Sequence, residues 1–302
     1  MRSPGDIVVI VNGASGRGHG SGTVEAIEAA FRGAGQTASV ACVDFDAIGQ
    51  AIDRAIKDGA RLIVIGGGDG TLSAAASALV DTDATLGVLP LGTLNHFAKD
   101  QQIPLDLAGA VRAVVAGRMK RVDVGEVNGA VFLNNSSLGI YPDIVRLRRR
   151  LGFGKWMGLI AASWMVLRQA STLSITLATA TGERRYNTPF AFIGNNEYVV
   201  EGFEVGERKT MQAGQLCLYT SRLTGRVGVL RLAFRSLFSD LRANHDFDTV
   251  IAPNFVIQTP HHQLRVAIDG EVSTEAMPLH YRSRAGALRV MVPRAITNVE
   301  GG

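Results

Sequence analysis

The sequence is poor in cysteine: its 302 residues include only two, Cys42 and Cys217. The two lie far apart in apolar surroundings, which argues against a disulfide and against a cysteine-based metal site. Because free cysteine packs as a small apolar side chain, we expect two buried free thiols in a reducing compartment.

The sequence also lacks an apolar run long enough to span a bilayer, which takes about 20 residues. Its most apolar later stretch, residues 156–167, is interrupted by Ser163 and is followed by Arg168. Near the start, residues 7–11 are too few for the apolar core of a secretory signal. We therefore expect a cytoplasmic protein.

A strong charge of either sign is absent as well. The 31 Lys and Arg against 27 Asp and Glu give a net charge of +4, and 46% of the residues are hydrophobic. This balance indicates a globular protein with mild attraction to anions. Nucleic acids, phosphorylated small molecules and acidic membranes all attract such a protein, so charge alone does not choose among them.

The first 120 residues alternate short β-branched runs with Ala-rich segments. This pattern predicts an open α/β domain with a parallel sheet, whose ligands bind at the carboxyl ends of the strands. The predicted strands are 7–11, 38–43, 62–65 and 86–89, and the predicted helices are 23–32, 48–57, 72–79 and 107–116.

From about residue 122 the pattern changes to mainly strands, one of them predicted over 249–258. Only two helical stretches interrupt it, at 143–169 and 226–241. We predict an α/β domain over residues 1–122 and a mainly β domain over residues 123–302, whose last segment could return to the first domain.

Two glycine-containing loops follow successive predicted strands. Gly66-Gly67-Gly68-Asp69-Gly70-Thr71 leads into a helix whose first N–H groups suit phosphate, and Asp69 could hold a magnesium ion. The alternative is an ordinary tight strand-to-helix turn. The second loop, residues 90–98, carries Thr93 and Asn95, which can hydrogen-bond a nucleotide. The Gly-Lys-Ser/Thr ending of a P-loop and the Rossmann fingerprint are both missing.

These motifs resemble the diacylglycerol kinase catalytic family. Residues 67–71 resemble the GGDGT signature that this family shares with sphingosine kinases and NAD kinases, while residues 90–98 resemble its P-x-G-T-x-N-D-F-A loop, which NAD kinases lack. Residues 11–18 resemble its N-P-x-S-G-x-G loop, with Gly13 in place of proline. Residues 123–125 resemble its D-x-G strand, and residues 269–271 its D-G-E motif.

The resemblance implies an N-terminal NAD kinase-like α/β domain that binds the nucleotide and a C-terminal β-sandwich domain for the lipid substrate. It implies transfer of phosphate from ATP, with Mg²⁺, to a hydroxyl of a membrane lipid, above all diacylglycerol. Either Asp269 or Glu271 would be the general base, with Asp69 as a further catalytic residue, and Asp69 and Asp123 would serve magnesium. The implied nucleotide-binding residues are Asn12, Ser15, Gly16, Gly67, Gly68, Asp69, Gly70, Thr71, Gly92, Thr93 and Asn95.

The sequence departs from the family pattern at two places. His96 stands where the family has an aspartate, and histidine is a poor ligand for Mg²⁺. Residues 211–216 lack the two acids of the family's P-x-A-x-x-D-D-G-x-L segment, so we predict no second metal site there. The pair Asn195-Asn196 is predicted to be a turn between strands.

Other functions stay open at this stage. They are a kinase for sphingoid bases or ceramide, an NAD kinase, which the loop at 90–98 disfavours, and a non-catalytic nucleotide-binding regulator. No nucleic-acid partner is expected. Five basic residues beside an apolar stretch predict contact with an anionic membrane at its inner face, or else a core helix with a solvated end; they are Arg146, Arg148, Arg149, Arg150 and Lys155.

Overall fold

The computed structural model describes residues 7–13, 21–139, 172–201, 204–208, 210–222 and 247–294. The chain divides into two compact units. The first comprises the residues up to Val122 together with those from Gly286 onward, and the second is Asp123–Ala285. The division falls inside two strands, β5 (Arg118–Val127) and β18 (Leu279–Val292).

The first unit is a parallel sheet with helices between its strands. The strands are β1 (Ile7–Asn12), β2 (Ala38–Val43), β3 (Leu62–Gly67) and β4 (Thr85–Pro90); the helices are α1 (Ser21–Gly33), α2 (Ile48–Lys57), α3 (Asp69–Leu79), α4 (His96–Asp100) and α5 (Leu107–Ala116). The strand order is β2-β1-β3-β4, and Val290 of β18 pairs in parallel with Leu86 of β4.

This strand order decides where the helices lie. The chain moves from β1 to β2 in one direction and from β2 to β3 in the other. Because such crossovers are right-handed, α1 and α2 must cover opposite faces of the sheet. Accordingly α1 contacts α5, whereas α2 contacts α3. The direction reverses between β1 and β3, and the ends of strands at such a reversal form the crevice where ligands bind.

The strands in the middle of this sheet are buried on both faces. In β1, β3 and β4 every residue after the first is buried. That is why they appear in the sequence as continuous apolar runs rather than alternating ones. The edge strand β2 is only half-buried, and its Cys42 is exposed while Cys217 of the second unit is buried. The expectation of two buried thiols was therefore wrong for Cys42, because an edge strand has a neighbour on one side only.

The second unit is built almost entirely of antiparallel strands. Besides its parts of β5 and β18 it contains β6 (Ala130–Phe132), β7 (Asn135–Gly139), β8 (Leu173–Thr179), β9 (Gly182–Thr188), β10 (Phe190–Asn195), β11 (Tyr198–Glu201), β12 (Glu204–Arg208), β13 (Leu216–Ser221), β14 (Phe247–Ala252), β15 (Asn254–Gln258), β16 (Gln263–Ile268) and β17 (Glu271–Ala276).

Two sheets of this unit share one hydrophobic core. One joins β9, β8, β15 and residues 279–282 of β18; the other has the order β14-β13-β10-β7-β16-β17. Ile175 and Tyr281 of the first sheet and Ile193 and Leu218 of the second belong to the same buried cluster. This is the packing of a β-sandwich, and it confirms the predicted fold class of an α/β region plus a mainly β region.

The structure corrects several element predictions. The predicted strand over residues 249–258 is two strands, β14 and β15, in different sheets, because Pro253 interrupts it. The short helix α4 and the strands β7, β9, β11, β12 and β17 were not predicted. The helical stretches predicted at 143–169 and 226–241 lie outside the described residues. Within the described part of the chain, no helix is long and apolar enough to cross a membrane.

One buried hydrogen bond joins the two sheets of the sandwich and gives a test of its packing. The hydroxyls of Ser136 and Tyr281 are 2.9 Å apart, and both side chains are almost fully buried. Burial raises the pKa of Tyr281, so its hydroxyl keeps its proton at neutral pH. Tyr281→Phe should lower the free energy of unfolding by about 1–3 kcal/mol in urea denaturation, because Ser136 loses its partner inside the core.

The double variant with Ser136→Ala is the control. Since it removes both partners, its cost should be clearly smaller than the sum of the two single costs. Additive costs would show that this hydrogen bond does not stabilise the sandwich.

Candidate functional site

The first unit has an open pocket of about 340 Å³ at the carboxyl ends of its four parallel strands. Each strand contributes the residues that follow it, as the strand order predicts for a ligand site. The lining residues are Phe45 after β2, Asn12 at the end of β1, Gly68, Asp69, Gly70 and Thr71 after β3, and Gly92, Thr93 and Leu94 after β4.

The amino terminus of α3 opens into this pocket. The helix begins at Asp69, and Gly68 before it has an extended backbone and makes no side-chain cap. The first i→i−4 hydrogen bond runs from the N–H of Leu72 to the carbonyl of Gly68, at 3.0 Å. The N–H groups of residues 69–71 come before this bond at the amino terminus of the helix, and with the helix dipole they favour an anion.

A buried hydrogen bond fixes the loop after β3 against the end of β1. The side-chain amide of Asn12 donates to the hydroxyl of Thr71 at 3.0 Å, and both residues are buried. Asn12 and Thr71 were predicted as binding residues 59 positions apart, and the structure brings them together at the reversal between β1 and β3.

The loops after β3 and β4 touch through their backbones. A Cβ on Gly92 would lie 2.4 Å from the Cα of Gly68, so only glycine at position 92 allows this approach. The N–H of Leu91 also donates to the carbonyl of Gly67 at 3.1 Å. The two predicted loops therefore form one surface.

The second loop is held in shape by Asn95. Its side-chain oxygen accepts from the N–H of Gly92 at 3.1 Å, and its amide donates to the carbonyls of Gly92 and Pro90 at 2.9 and 3.2 Å. Its backbone is left-handed, with φ 51°, which asparagine tolerates better than most residues. Asn95 is buried and shapes the loop that presents Thr93 to the pocket.

Asp69 connects the two loops. Its carboxylate accepts from the backbone N–H groups of His96 and Phe97, at 3.2 and 3.1 Å, and so caps the amino terminus of α4. Among the described residues that line the pocket, Asp69 is also the only acid. One carboxylate is a plausible magnesium ligand when phosphate oxygens supply the others. Among the described residues, no group of three or more His, Cys, Asp and Glu could hold a metal by itself.

Phe45 was missed by the sequence analysis. It lies in a single 3₁₀ turn, Phe45–Ala47, after β2, and in the described part of the chain it is the only aromatic residue that lines the pocket. The signal that could have found it is positional, because an aromatic residue just after an edge strand of the sheet faces the same crevice as the glycine loops.

The other predicted catalytic and metal residues belong to the second unit. Asp269 and Gly270 have φ of 45° and 82° and form a two-residue hairpin turn between β16 and β17. The carboxylate of Asp269 accepts three backbone N–H groups, those of Leu133, Asn134 and Asn135, at 2.7, 2.8 and 2.9 Å.

Glu271 and Asp123 have contrasting surroundings within this unit. Glu271 is exposed at the first position of β17. Asp123 is 2% exposed, and its Oδ2 accepts from the N–H of Gly214 at 2.7 Å and from the amide of Asn196 at 3.3 Å. Magnesium binding at Asp123 stays a prediction. Ser15 and Gly16, predicted as nucleotide-binding residues, lie outside the described residues.

A family model matches the first part of the chain. The model of the diacylglycerol kinase catalytic domain matches residues 6–127, which include both glycine loops and Asp69. Residues 6–127 are therefore similar to a diacylglycerol kinase catalytic domain. The predicted family resemblance is thereby confirmed.

Curated relatives of this chain carry lipid kinase names. A "Probable lipid kinase YegS-like" of Pseudomonas aeruginosa is 41% identical over 128 residues, 41% of this chain and 42% of that protein. One of Pseudomonas syringae pv. tomato is 48% identical over 91 residues, 29% of each chain. These matches span less than half of the relatives' length. A "Probable lipid kinase YegS" of Salmonella heidelberg is 26% identical over 80% of this chain and 81% of that protein.

Solved structures share the fold over nearly the whole chain. Three structures of proteins from Bacillus anthracis str. Sterne superpose with TM-scores of 0.75, 0.69 and 0.73, at 20%, 20% and 21% identity. Each comparison covers 96% of this chain and 98% of the other. The second of them is described as a diacylglycerol kinase. At this identity the likeness shows the fold alone.

The contact between the two loops of the first unit can be tested by Gly92→Ala. The added Cβ would lie 2.4 Å from the Cα of Gly68 and 2.8 Å from the side-chain oxygen of Asn95, so the loops must separate. We expect the free energy of unfolding, measured by urea denaturation, to fall by about 1–3 kcal/mol.

Gly49→Ala in α2 is the matched control, since nothing lies within 4 Å of its added Cβ. It should raise the stability by up to about 1 kcal/mol, because alanine favours a helix. Equal effects of the two variants would contradict the loop contact.

Proposed function

We propose that this chain is an ATP-dependent lipid kinase that transfers the γ-phosphate of ATP to a hydroxyl of a membrane lipid, with diacylglycerol as the substrate to test first. The observation that carries the proposal is the pocket at the amino terminus of α3, which lies wholly within the matched catalytic domain. The names of the curated relatives support a lipid as the acceptor.

The pocket supplies what a bound triphosphate needs. The N–H groups at the start of α3 and the helix dipole favour the phosphates, and Thr71 and Thr93 add hydroxyls nearby. Asp69 is the residue that would hold a magnesium ion, which would neutralise part of the phosphate charge when it is bound with ATP. Phosphoryl transfer depends mainly on such positioning and charge stabilisation.

Phe45 is proposed as the platform for the nucleotide base. An aromatic ring stacks on any base and contributes about 1–3 kcal/mol per base. Phe45 is half-buried, so its ring is supported by the protein and still reaches the pocket.

For the general base we favour Glu271 over Asp269, because Glu271 is the more exposed of the two carboxylates and three backbone N–H groups hold that of Asp269. A base must accept a proton from the lipid hydroxyl as that oxygen bonds to the γ-phosphorus and the bond to the departing ADP oxygen breaks. Both carboxylate oxygens of Asp269 already accept backbone N–H groups, whereas Glu271 is exposed beside it. We propose that Glu271 accepts the proton of the lipid hydroxyl and that Asp269 positions the turn.

The proposal includes a membrane surface as partner. A lipid kinase must reach its substrate in a bilayer, and the basic residues Arg148, Arg149 and Arg150 suit anionic lipid at the inner face of the membrane. These residues lie outside the described part of the chain, so the support for this point comes from the sequence.

The central test is the transfer of labelled γ-phosphate to lipids in vesicles with and without anionic lipid. Diacylglycerol, a sphingoid base and ceramide serve as acceptors, and NAD as the comparison substrate. We expect a phosphorylated lipid and no phosphorylated NAD. In the same assay Glu271→Gln should lower kcat by about 10²- to 10⁴-fold, because a general base typically contributes that much.

Glu275→Gln is the matched control, since Glu275 is another glutamate of β17, half-buried, and lies on the same face of the strand. It should keep the kcat of the wild type. The lipid kinase proposal fails if no lipid is labelled, and the assignment of the base fails if Glu271→Gln and Glu275→Gln turn over equally.

The proposed stacking of the nucleotide base on Phe45 can be tested separately. Phe45→Ala should weaken ATP binding on the order of 10-fold or more in calorimetry, because a stacking contact is lost. Binding of inorganic tripolyphosphate should stay the same, since it has no base, and Phe45→Trp should bind ATP normally. If Phe45→Ala binds ATP as tightly as the wild type does, Phe45 does not stack on the base.

A further inference from the structure

Two asparagines that the proposed reaction does not use are completely buried. Asn195 ends β10 and Asn196 follows it, and each has 0% of its surface exposed. A buried amide side chain is costly unless it is hydrogen-bonded. Asn196 also has a left-handed backbone, with φ 71°, which few side chains accept.

Asn195 binds three carbonyl groups from two segments. Its backbone N–H donates to the carbonyl of Asn134 at 3.0 Å. Its side-chain amide donates to the carbonyls of Leu133 and Asp123, each at 2.9 Å. Asn195 thus ties β5, which contains Asp123, to the segment 133–135.

The segment 133–135 is held from its other side by Asp269. Asp269 takes the N–H groups of this segment, and Asn195 takes its carbonyls. The backbone N–H of Asp269 completes the contact by donating to the carbonyl of Asn135 at 2.9 Å. The segment therefore lies between Asn195 and the hairpin turn that precedes Glu271.

Two tyrosines support the same segment. The hydroxyl of Tyr198 donates to the carbonyl of Asn134 at 2.9 Å, and the backbone N–H of Tyr198 donates to the hydroxyl of Tyr219 at 3.1 Å. Burial, together with a hydrogen bond to Cys217, raises the pKa of Tyr219, so its hydroxyl keeps its proton and can donate to the carbonyl of Tyr198.

Asn196 and Asp123 hold the neighbouring loop, residues 211–215. Asn196 donates its N–H to the carbonyl of Gln215 at 3.0 Å, and its side-chain oxygen accepts from the N–H of Ala213 at 3.2 Å. Asp123 accepts from the N–H of Gly214 at 2.7 Å and from the amide of Asn196 at 3.3 Å. Protein groups thus satisfy the backbone of this loop directly.

A magnesium ion does not fit this arrangement. Asp123 is buried, and a cation at its Oδ2 would compete with two N–H donors that already point at that oxygen. The neighbouring loop offers Gln212 and Gln215 in place of carboxylates, and Mg²⁺ prefers carboxylate and water oxygens. The donor set therefore disagrees with the magnesium site that the family resemblance implies at Asp123.

We infer that Asp123, Asn195 and Asn196 are positioning residues, which fix the segment 133–135 and the loop 211–215 and thereby set the hairpin turn that carries Glu271. They do so through direct hydrogen bonds in place of a metal ion. The link to Glu271 rests on the proposed function. The hydrogen bonds that Asp123, Asn195 and Asn196 make to the segment 133–135 and the loop 211–215, which we call the frame, do not. The frame runs through one unit of the chain, from the loop 211–215 to β17.

The variant Asn195→Asp tests the frame, because it places a carboxylate oxygen against the carbonyls of Leu133 and Asp123. Amide hydrogen exchange is measured without nucleotide, in EDTA. In the wild type the amides of Asn134, Asn135 and Gly214 should be protected despite the chelator. In Asn195→Asp the amides of the segment 133–135 should exchange faster. Asn254→Asp at an exposed position of β15 is the matched control and should change neither.

Kinetics separate positioning from a purely structural contribution. Asn195→Asp should lower kcat on the order of 10- to 100-fold, because small displacements of a reacting group have effects of that size. The KM for ATP should not change. Asp123→Asn should leave the magnesium concentration for half-maximal activity unchanged, whereas the loss of a metal ligand would raise it.

Both the hydrogen-exchange and the kinetic experiments have outcomes that would overturn the inference. If EDTA makes the amide of Gly214 exchange faster in the wild type, a metal ion holds the loop 211–215. An Asn195→Asp variant with normal kcat and normal exchange would remove Asn195 from the frame. If Asn195→Asp does not fold, Asn196→Ala takes its place, with loss of protection expected at Ala213. If the wild type transfers no labelled phosphate to any lipid, the proposed function is refuted. The hydrogen-exchange results still test the frame in that case.

Discussion

The close approach of Gly68 and Gly92 is the constraint on which the pocket of the first unit depends. These two residues follow neighbouring strands, and their backbones meet where any side chain on Gly92 would collide. The contact brings the amino termini of α3 and α4 so near each other that one carboxylate, that of Asp69, serves both: it begins α3 and accepts two N–H groups of α4. The two loops therefore act as one element rather than as two separate motifs.

The acidic residues of the family motifs hold the backbone as well as offering charge. Asp69 caps a helix, Asp123 holds the loop 211–215, and Asp269 binds three consecutive N–H groups. A carboxylate accepts such charge-assisted bonds more strongly than a neutral side chain does. Loss of activity on replacing any of these aspartates is thus weak evidence for a chemical role, unless exchange or stability is measured beside it.

Much of the fold follows from local patterns, but the contacts of the site do not. The strands β1, β3 and β4 are continuous apolar runs, and Asp269-Gly270 is a turn signal that needs no partner. In contrast, Asp69 reaches residues 27 and 28 positions away, and Asp269 reaches residues more than 130 positions away. Nothing local in the sequence marks such pairs. The role of Asn195-Asn196 was missed for the same reason, because two asparagines in a turn satisfy every local rule.

The departures from the family pattern form a consistent set. His96 replaces an acid beside Asp69, and the loop 211–215 has lost its acids. In the second unit, hydrogen bonds from Asn196 and Asp123 hold that loop. In the first unit, Asp69 is the one acid among the described residues at the pocket, so little fixed negative charge from these residues faces a triphosphate there. The amino terminus of a helix stabilises a nearby anion by about 0.3–1 kcal/mol, whereas each nearby carboxylate repels it. With few carboxylates at the pocket, the attraction of α3 for phosphate is weakened less by repulsion. In the second unit, hydrogen bonds from protein groups thus hold the loop 211–215 without any acid of its own.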